Sequence, residues 1–99
     1  STAGEPTLAA VKAMGRLDDV KVASFDLSPS FLESVKAGDA AFAIDQQQFL
    51  QGYLPVVFLY LYNANANTVG GGLPVLTGPG IVDASNAAAV KDLAAAGTR

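Results

Sequence analysis

A chain of 99 residues, 51% of them hydrophobic and 15% charged, is long enough for one folded domain and too apolar for a disordered segment. Cysteine, histidine and tryptophan are absent, which excludes disulfides, Cys/His metal sites, thiol nucleophiles and a Ser/His general-base pair. The formal net charge is −3 and the six basic residues are scattered singly, so there is no basic patch. We therefore expect no enzyme activity, no metal, no cofactor and no nucleic-acid partner.

The first segment predicts a helix. Leu8, Val11 and Met14 recur at helical spacing after Pro6, a residue that suits the first turn of a helix. Gly15 interrupts the pattern, so we expect the helix to end there.

Two short strands and a helix between them are predicted next. Residues 21–25 and residues 40–44 have the composition of strands. Ser28 is placed to cap the intervening helix, with Pro29 in its first turn, and Gly38 is placed to end it in the left-handed conformation. A connection of this length and content is typical of a crossover between parallel neighbouring strands. The sequence therefore predicts an α/β fold with a parallel β-α-β unit.

A long helix is predicted after the second strand. Asp45 and Gln48 have the spacing of a capping box, and the helix continues through Leu61. Pro55 should kink it, because proline removes one backbone donor. The apolar side chains recur at ordinary core spacing, which predicts packing and not a stacking platform. They are Phe49, Tyr53, Val56, Val57 and Tyr60.

The last third of the chain predicts less regular structure. Residues 63–72 have the composition of a linker, and their three final glycines complete no phosphate-binding motif. Residues 73–76 predict a short strand and residues 78–80 a turn. Ser85 is placed to cap an alanine-rich helix that ends near Gly97.

Polar side chains directly follow the two predicted strands. Asp26 follows the first strand, and Asp45 and Gln46 follow the second. Ligands of open α/β sheets bind at the carboxyl ends of the strands, and adjacent strands lie about 4.8 Å apart. Carboxylate and carboxamide groups suit the alternating hydroxyls of a sugar or polyol. We predict that Asp26 and Gln46 bind such a ligand, and that Asp45 caps the helix with a second role at the same site.

Two alternatives apply to the acidic residues. Asp26 could be only a turn residue before Ser28, and Asp45 only a helix cap. The two carboxylates could instead form a catalytic pair of the glycosidase kind, but the sequence contains no signal of a raised pKa.

Three motifs resemble periplasmic sugar-binding proteins of the ribose-binding type, which feed ABC transporters. They are residues 22–29 (VASFDLSP), residues 42–52 (FAIDQQQFLQG) and residues 76–80 (LTGPG), in the order of that family. The resemblance implies that Asp26 and Gln46 hydrogen-bond sugar hydroxyls. Gln48 stands where that family often has proline, which leaves the local hinge geometry open.

The resemblance also implies an incomplete periplasmic-binding-protein-like fold, since such proteins are several times longer and close two lobes around the sugar. The chain would be a C-terminal portion. Residues 1–44 would belong to the second lobe, residues 45–72 to a hinge crossing and a first-lobe helix, and residues 73–99 to a return segment and the last helix. The implied partners are the N-terminal remainder and an ABC transporter permease, in a periplasmic or otherwise extracytoplasmic location. Alone, the fragment should bind sugar weakly or not at all.

Two other functions are compatible with the residues. One is the effector-binding domain of a sugar-responsive transcription repressor, which shares the fold. The other is a stand-alone α/β module that associates with itself through its aromatic stripe.

Overall fold

The structure is a computed structural model that describes residues 2–99, and it contains one three-stranded sheet with four α-helices. None of these helices, within the residues described, is long and apolar enough to cross a membrane. The elements in chain order are α1 (Gly4–Ala13), β1 (Ala23–Phe25), α2 (Pro29–Ala37), β2 (Phe42–Asp45), α3 (Gln48–Asn65), a 3-10 turn (Gly70–Gly72), β3 (Gly80–Val82) and α4 (Ala87–Ala95).

The β-α-β unit predicted from the sequence is confirmed. β1 and β2 are parallel neighbours, with Ala23 opposite Phe42, and α2 connects them. Ser28 caps α2 by accepting a hydrogen bond from the Phe31 backbone N–H at 3.3 Å. Gly38 ends the helix at a φ of 85°, the left-handed region that glycine enters without steric cost. The two ends of α2 could be predicted from the sequence because each capping interaction acts within one turn of the helix.

The third strand lies later in the chain than predicted. β3 pairs antiparallel with β2 and begins at Gly80, within the expected turn. Residues 73–76 form no strand; Leu73 and Leu76 are 74% and 81% exposed. A short apolar run indicates burial against some surface, and it does not specify a partner strand.

The hydrophobic core lies where α2 packs against β2, α4 and α1. Phe31, Leu32 and Val35 of α2 are at most 1% exposed and contact apolar residues of the sheet and of α4. α1 contributes Leu8, and α4 contributes Val90. The sheet and three of the helices therefore share one core.

Helix α3 is outside this core, which corrects the expectation that its apolar stripe packs in it. No residue of α3 is buried by the part of the chain that is described. Tyr53, Val56 and Tyr60 are 55%, 67% and 70% exposed. Helical periodicity reveals an apolar face but not the surface that covers it. The helix runs through Pro55 without interruption and takes up the first three residues of the predicted linker.

Two predicted helix caps are wrong. Asp45 is the last residue of β2, and the N-cap of α3 is Gln47, without a side-chain cap bond. Asn86, not Ser85, is the N-cap of α4. The Ser85 hydroxyl instead donates to the Asp83 carboxylate at 2.5 Å. Both errors arise because serine and aspartate also bond to neighbouring turn residues, so their presence before a helix does not identify the cap position.

Candidate ligand site at the carboxyl edge of the parallel strands

Asp26 and Gln46 meet where β1 and β2 end. The Gln46 side-chain Nε2 donates to Asp26 Oδ1 at 3.3 Å, and Gln48 Nε2 donates to the same oxygen. Both Asp26 and Gln46 are half-buried. The convergence predicted from the crossover is therefore present, and the role of the two residues as ligand contacts stays a prediction.

The backbone at Asp26 departs from ordinary strand geometry. Its φ is 67°, in the left-handed region, and its N–H donates to the Ile44 carbonyl at 2.9 Å. Aspartate tolerates this region better than most residues, but the conformation still costs free energy on the order of 1 kcal/mol. The bond to Ile44 extends the parallel pairing by one position and ties Asp26 to the strand that precedes Gln46.

Asp45 is completely buried and bonded on both carboxylate oxygens. Oδ1 accepts the Gln47 backbone N–H at 2.8 Å, and Oδ2 accepts Arg99 Nε at 2.6 Å. Because a buried carboxylate without a counter-charge is strongly destabilising, the Arg99 contact is needed at this position. Arg99 was missed in the sequence, since 53 residues separate it from Asp45 and no local pattern links them.

A second chain segment, around Thr77, is tied to the turn that carries Gln46. The Thr77 hydroxyl donates to the Gln46 carbonyl at 2.8 Å, and Gln47 Nε2 donates to the Thr77 carbonyl at 2.7 Å. Gln51 Nε2 also donates to the Gln46 carbonyl, at 3.1 Å. Thr77 lies in the motif at residues 76–80 and Gln47 and Gln51 in the motif at residues 42–52, and the sequence alone predicted no contact between these two motifs. The two chain segments at this edge are therefore linked side by side.

The approach of the two segments depends on Gly78. A Cβ atom at Gly78 would lie 2.9 Å from the Asp45 carbonyl oxygen and 3.4 Å from the Gln46 α-carbon. The first distance is shorter than van der Waals contact, and the atom that the Cβ would meet is a backbone oxygen, which cannot rotate away as a side chain can. Only glycine fits this position without displacing one of the two segments.

A cleft of ≈ 370 Å³ opens beside Gln46. Its walls include the ring of Phe25, the Ile44 side chain and the segment 75–79. A volume of this size suits a small ligand, and the mixture of apolar wall and amide groups suits a polyhydroxylated ring. No cluster of three or more acidic side chains that could hold a metal ion occurs within residues 2–99.

A parallel β-α-β unit has polar side chains at its carboxyl edge, and two hydrogen-bonded chain segments lie beside them, an arrangement that belongs to open α/β folds. A solved carbohydrate transporter from Acidothermus cellulolyticus 11B, in complex with myo-inositol, matches 100% of this chain with a TM-score of 0.86 and 40% sequence identity. The match covers 34% of that structure.

A second similarity is to the xylose/arabinose-binding protein of Sulfolobus acidocaldarius, at 35% identity over 52 residues. It covers 52% of this chain and 13% of that protein. No protein-family model matches the chain. The chain thus spans about a third of the solved relative, and its 52 aligned residues span about an eighth of the curated one. The predicted resemblance is confirmed: the chain has the fold of part of a periplasmic sugar-binding protein.

Proposed function

We propose that this chain forms part of a solute-binding protein that captures a monosaccharide or polyol outside the cytoplasm and delivers it to an ABC transporter permease. The observation that carries the proposal is the contact between Asp26 and Gln46 at the carboxyl edge of two parallel strands. The similarity to a carbohydrate transporter in complex with myo-inositol and to a xylose/arabinose-binding protein supports this ligand class over the repressor alternative. The same similarity supports a role in binding and delivering the ligand and not in converting it chemically.

The chemistry of the pair suits vicinal hydroxyls. A carboxylate accepts hydrogen bonds from two hydroxyls, and a carboxamide both donates and accepts. In the structure Gln46 and Gln48 donate to Asp26 Oδ1. A ligand hydroxyl that donates to Asp26 while accepting from Gln46 would replace these contacts, so the side chains keep partners with and without ligand. A hydrogen bond to a charged group contributes about 1.5–3 kcal/mol.

Asp45 is the third residue for which a ligand contact is predicted. Both of its oxygens are bonded within the chain, to Gln47 and Arg99. We infer that Asp45 acts on the site by holding the turn that contains Gln46, and its direct contact with ligand stays a prediction.

The rest of the site is proposed to come from the remainder of a two-lobe protein. We assign residues 1–44 to the second lobe, residues 45–72 to a hinge crossing and a first-lobe helix, and residues 73–99 to the return segment and last helix. The exposed apolar face of α3 supports this division, because a first lobe would cover it. The coverage of 34% of the solved relative leaves room for that lobe.

The test is ligand-dependent thermal stabilisation of the two-lobe protein that contains this chain, with myo-inositol, D-xylose and L-arabinose as probes. Asp26→Ala should abolish the rise in melting temperature, and Gln46→Ala should weaken binding by up to about tenfold, since a hydrogen bond between neutral groups contributes about 0.5–1.5 kcal/mol. Asp18→Asn removes an exposed acid elsewhere and should leave the shift unchanged. A full shift in Asp26→Ala would refute the assignment.

A further inference from the structure

Arg99 connects the segment after α4 to the turn that carries Gln46. Its Nε donates to Asp45 Oδ2 at 2.6 Å, and Asp45 is the only charged side chain that is buried among residues 2–99. A Cβ at Gly80 would lie 3.5 Å from Asp45 Cβ and 3.9 Å from the guanidinium. The guanidinium therefore reaches Asp45 alongside Gly80 of β3, at distances where a Cβ would make ordinary van der Waals contact.

The other carboxylate oxygen of Asp45, Oδ1, contacts Gln47, which has an unfavourable backbone conformation. Oδ1 accepts the Gln47 N–H at 2.8 Å, and Gln47 has a φ of 55° and a ψ of 60°. Glutamine rarely adopts this left-handed conformation, so it persists only where surrounding contacts stabilise it. Gln46 lies between Asp45 and Gln47, and the direction of its side chain depends on how both neighbours are held.

We propose that Arg99 is a positioning residue of the ligand site. By anchoring one oxygen of Asp45, Arg99 fixes the other oxygen on the Gln47 N–H, and the resulting turn directs the Gln46 carboxamide toward Asp26. The role in binding rests on the function proposed above. Lysine at this position would supply the charge without the planar Nε donor that makes the contact, so it should replace arginine only in part.

The first measurement is the Kd for myo-inositol in the two-lobe protein that contains this chain, by titration calorimetry at a temperature where circular dichroism shows every variant folded. Arg99→Gln should raise the Kd about tenfold, the order expected when a residue that supports a ligand contact is removed. Arg99→Lys should recover part of the loss. Lys91→Gln is the matched control, since Lys91 pairs with Glu33 away from the site, and it should bind as the wild type does.

A second variant covers the case in which Arg99→Gln fails to fold. Asp45→Asn combined with Arg99→Gln leaves no unpaired charge in the interior, so it should fold. The proposal expects this double variant also to bind myo-inositol less tightly than the wild type, because the amide at position 45 has lost its anchor. Binding at the wild-type level in either variant would overturn the proposal.

The second measurement does not require ligand. Amide hydrogen exchange at Gln47 should be faster in Arg99→Gln and unchanged in Lys91→Gln. A weaker affinity with unchanged Gln47 exchange would mean that Arg99 acts on the ligand directly, and this would overturn a positioning role. If the wild type binds none of the three probes (myo-inositol, D-xylose and L-arabinose), the proposed function fails. Unchanged exchange at Gln47 would instead show that Arg99 does not hold the turn.

Discussion

Two residues of the candidate site adopt left-handed backbone conformations although neither is glycine. Asp26 follows β1 with a φ of 67°, and Gln47 lies two residues beyond β2 with a φ of 55°. Each conformation costs on the order of 1 kcal/mol, which is recovered only through surrounding contacts. Both occur at the carboxyl edge where Asp26 and Gln46 meet. Their position favours a site that is shaped before ligand arrives.

At the same scale, Gly78 supports a prediction about stability. Gly78→Ala would place a Cβ 2.9 Å from the Asp45 carbonyl oxygen, so one of the two chain segments must shift. We expect a loss of about 1–3 kcal/mol in the free energy of unfolding, measured by urea denaturation. Gly52→Ala is the control, because a Cβ there meets no atom within 4 Å in the described structure and alanine favours helix. Equal stability of Gly78→Ala and wild type would contradict the close approach of the two segments.

Among the four α-helices of the described residues, α3 is the one with no buried residue. It has 18 residues, none of them buried in the described structure, and a cleft of ≈ 620 Å³ lies between it and the segment around Val75. Phe49 and Tyr53 stack on each other with ring centroids 5.8 Å apart, and both remain largely exposed. An apolar face of this extent is characteristic of an interface.

The exposed face leads to a prediction about association. The isolated 99-residue chain should self-associate through α3, and replacing Val56 and Tyr60 together with serine should reduce the association, because these side chains are 67% and 70% exposed. Light scattering and sedimentation velocity would measure it. Leu93→Ser on α4 removes a side chain that is 48% exposed and should have little effect. A monodisperse 10.1 kDa monomer for the wild-type chain would contradict the prediction.

The whole molecule is more extended than a compact domain of its length. Its radius of gyration is 17.1 Å and its principal extents are 58 × 25 × 22 Å, whereas a compact domain of 100 residues has a radius of about 13 Å. The difference agrees with α3 lying outside the core shared by the sheet and the other helices. Much of the burial that would stabilise α3 must therefore come from other surfaces.

Surface carboxylates link distant parts of the molecule and make stability depend on pH. Hydrogen bonds from the Ser28 and Ser30 hydroxyls lower the pKa of Glu5, and the bond from Lys91 lowers the pKa of Glu33, both from an ordinary value of 4.5. A lowered pKa in the folded state means that the stabilisation is complete above pH 4.5 and is lost as the pH falls through the folded pKa.

We therefore predict that the melting temperature declines as the pH is lowered below 4.5. Glu33→Gln should make this decline shallower, whereas Asp18→Asn should not alter it, because it removes an exposed carboxylate that takes no part in the Glu5 and Glu33 contacts. On the alkaline side, the bond to Glu33 raises the pKa of Lys91 above 10.5, so its stabilisation is complete below that pH and is lost as the pH rises through the raised value. A melting temperature that does not change between about pH 2 and 5, the range in which carboxyl groups titrate, would contradict the prediction.

The candidate site was predicted only in part. The meeting of Asp26 and Gln46 was predicted because each follows a strand, and parallel neighbours end at the same edge. Gln47 and Thr77 were missed as contacts, since their hydrogen bonds join segments 30 residues apart in sequence. Arg99 was missed for the same reason.

The sequence by itself determined the features that depend on neighbouring residues. Ser28, Pro29 and Gly38 delimit α2, and the short crossover makes β1 and β2 parallel, because capping and chain length act locally. The tertiary structure alone decided that Asp45 is buried against Arg99 and that α3 lies outside the core. Those outcomes depend on which distant surfaces meet, and the pattern of apolar and polar residues along one chain does not contain that information.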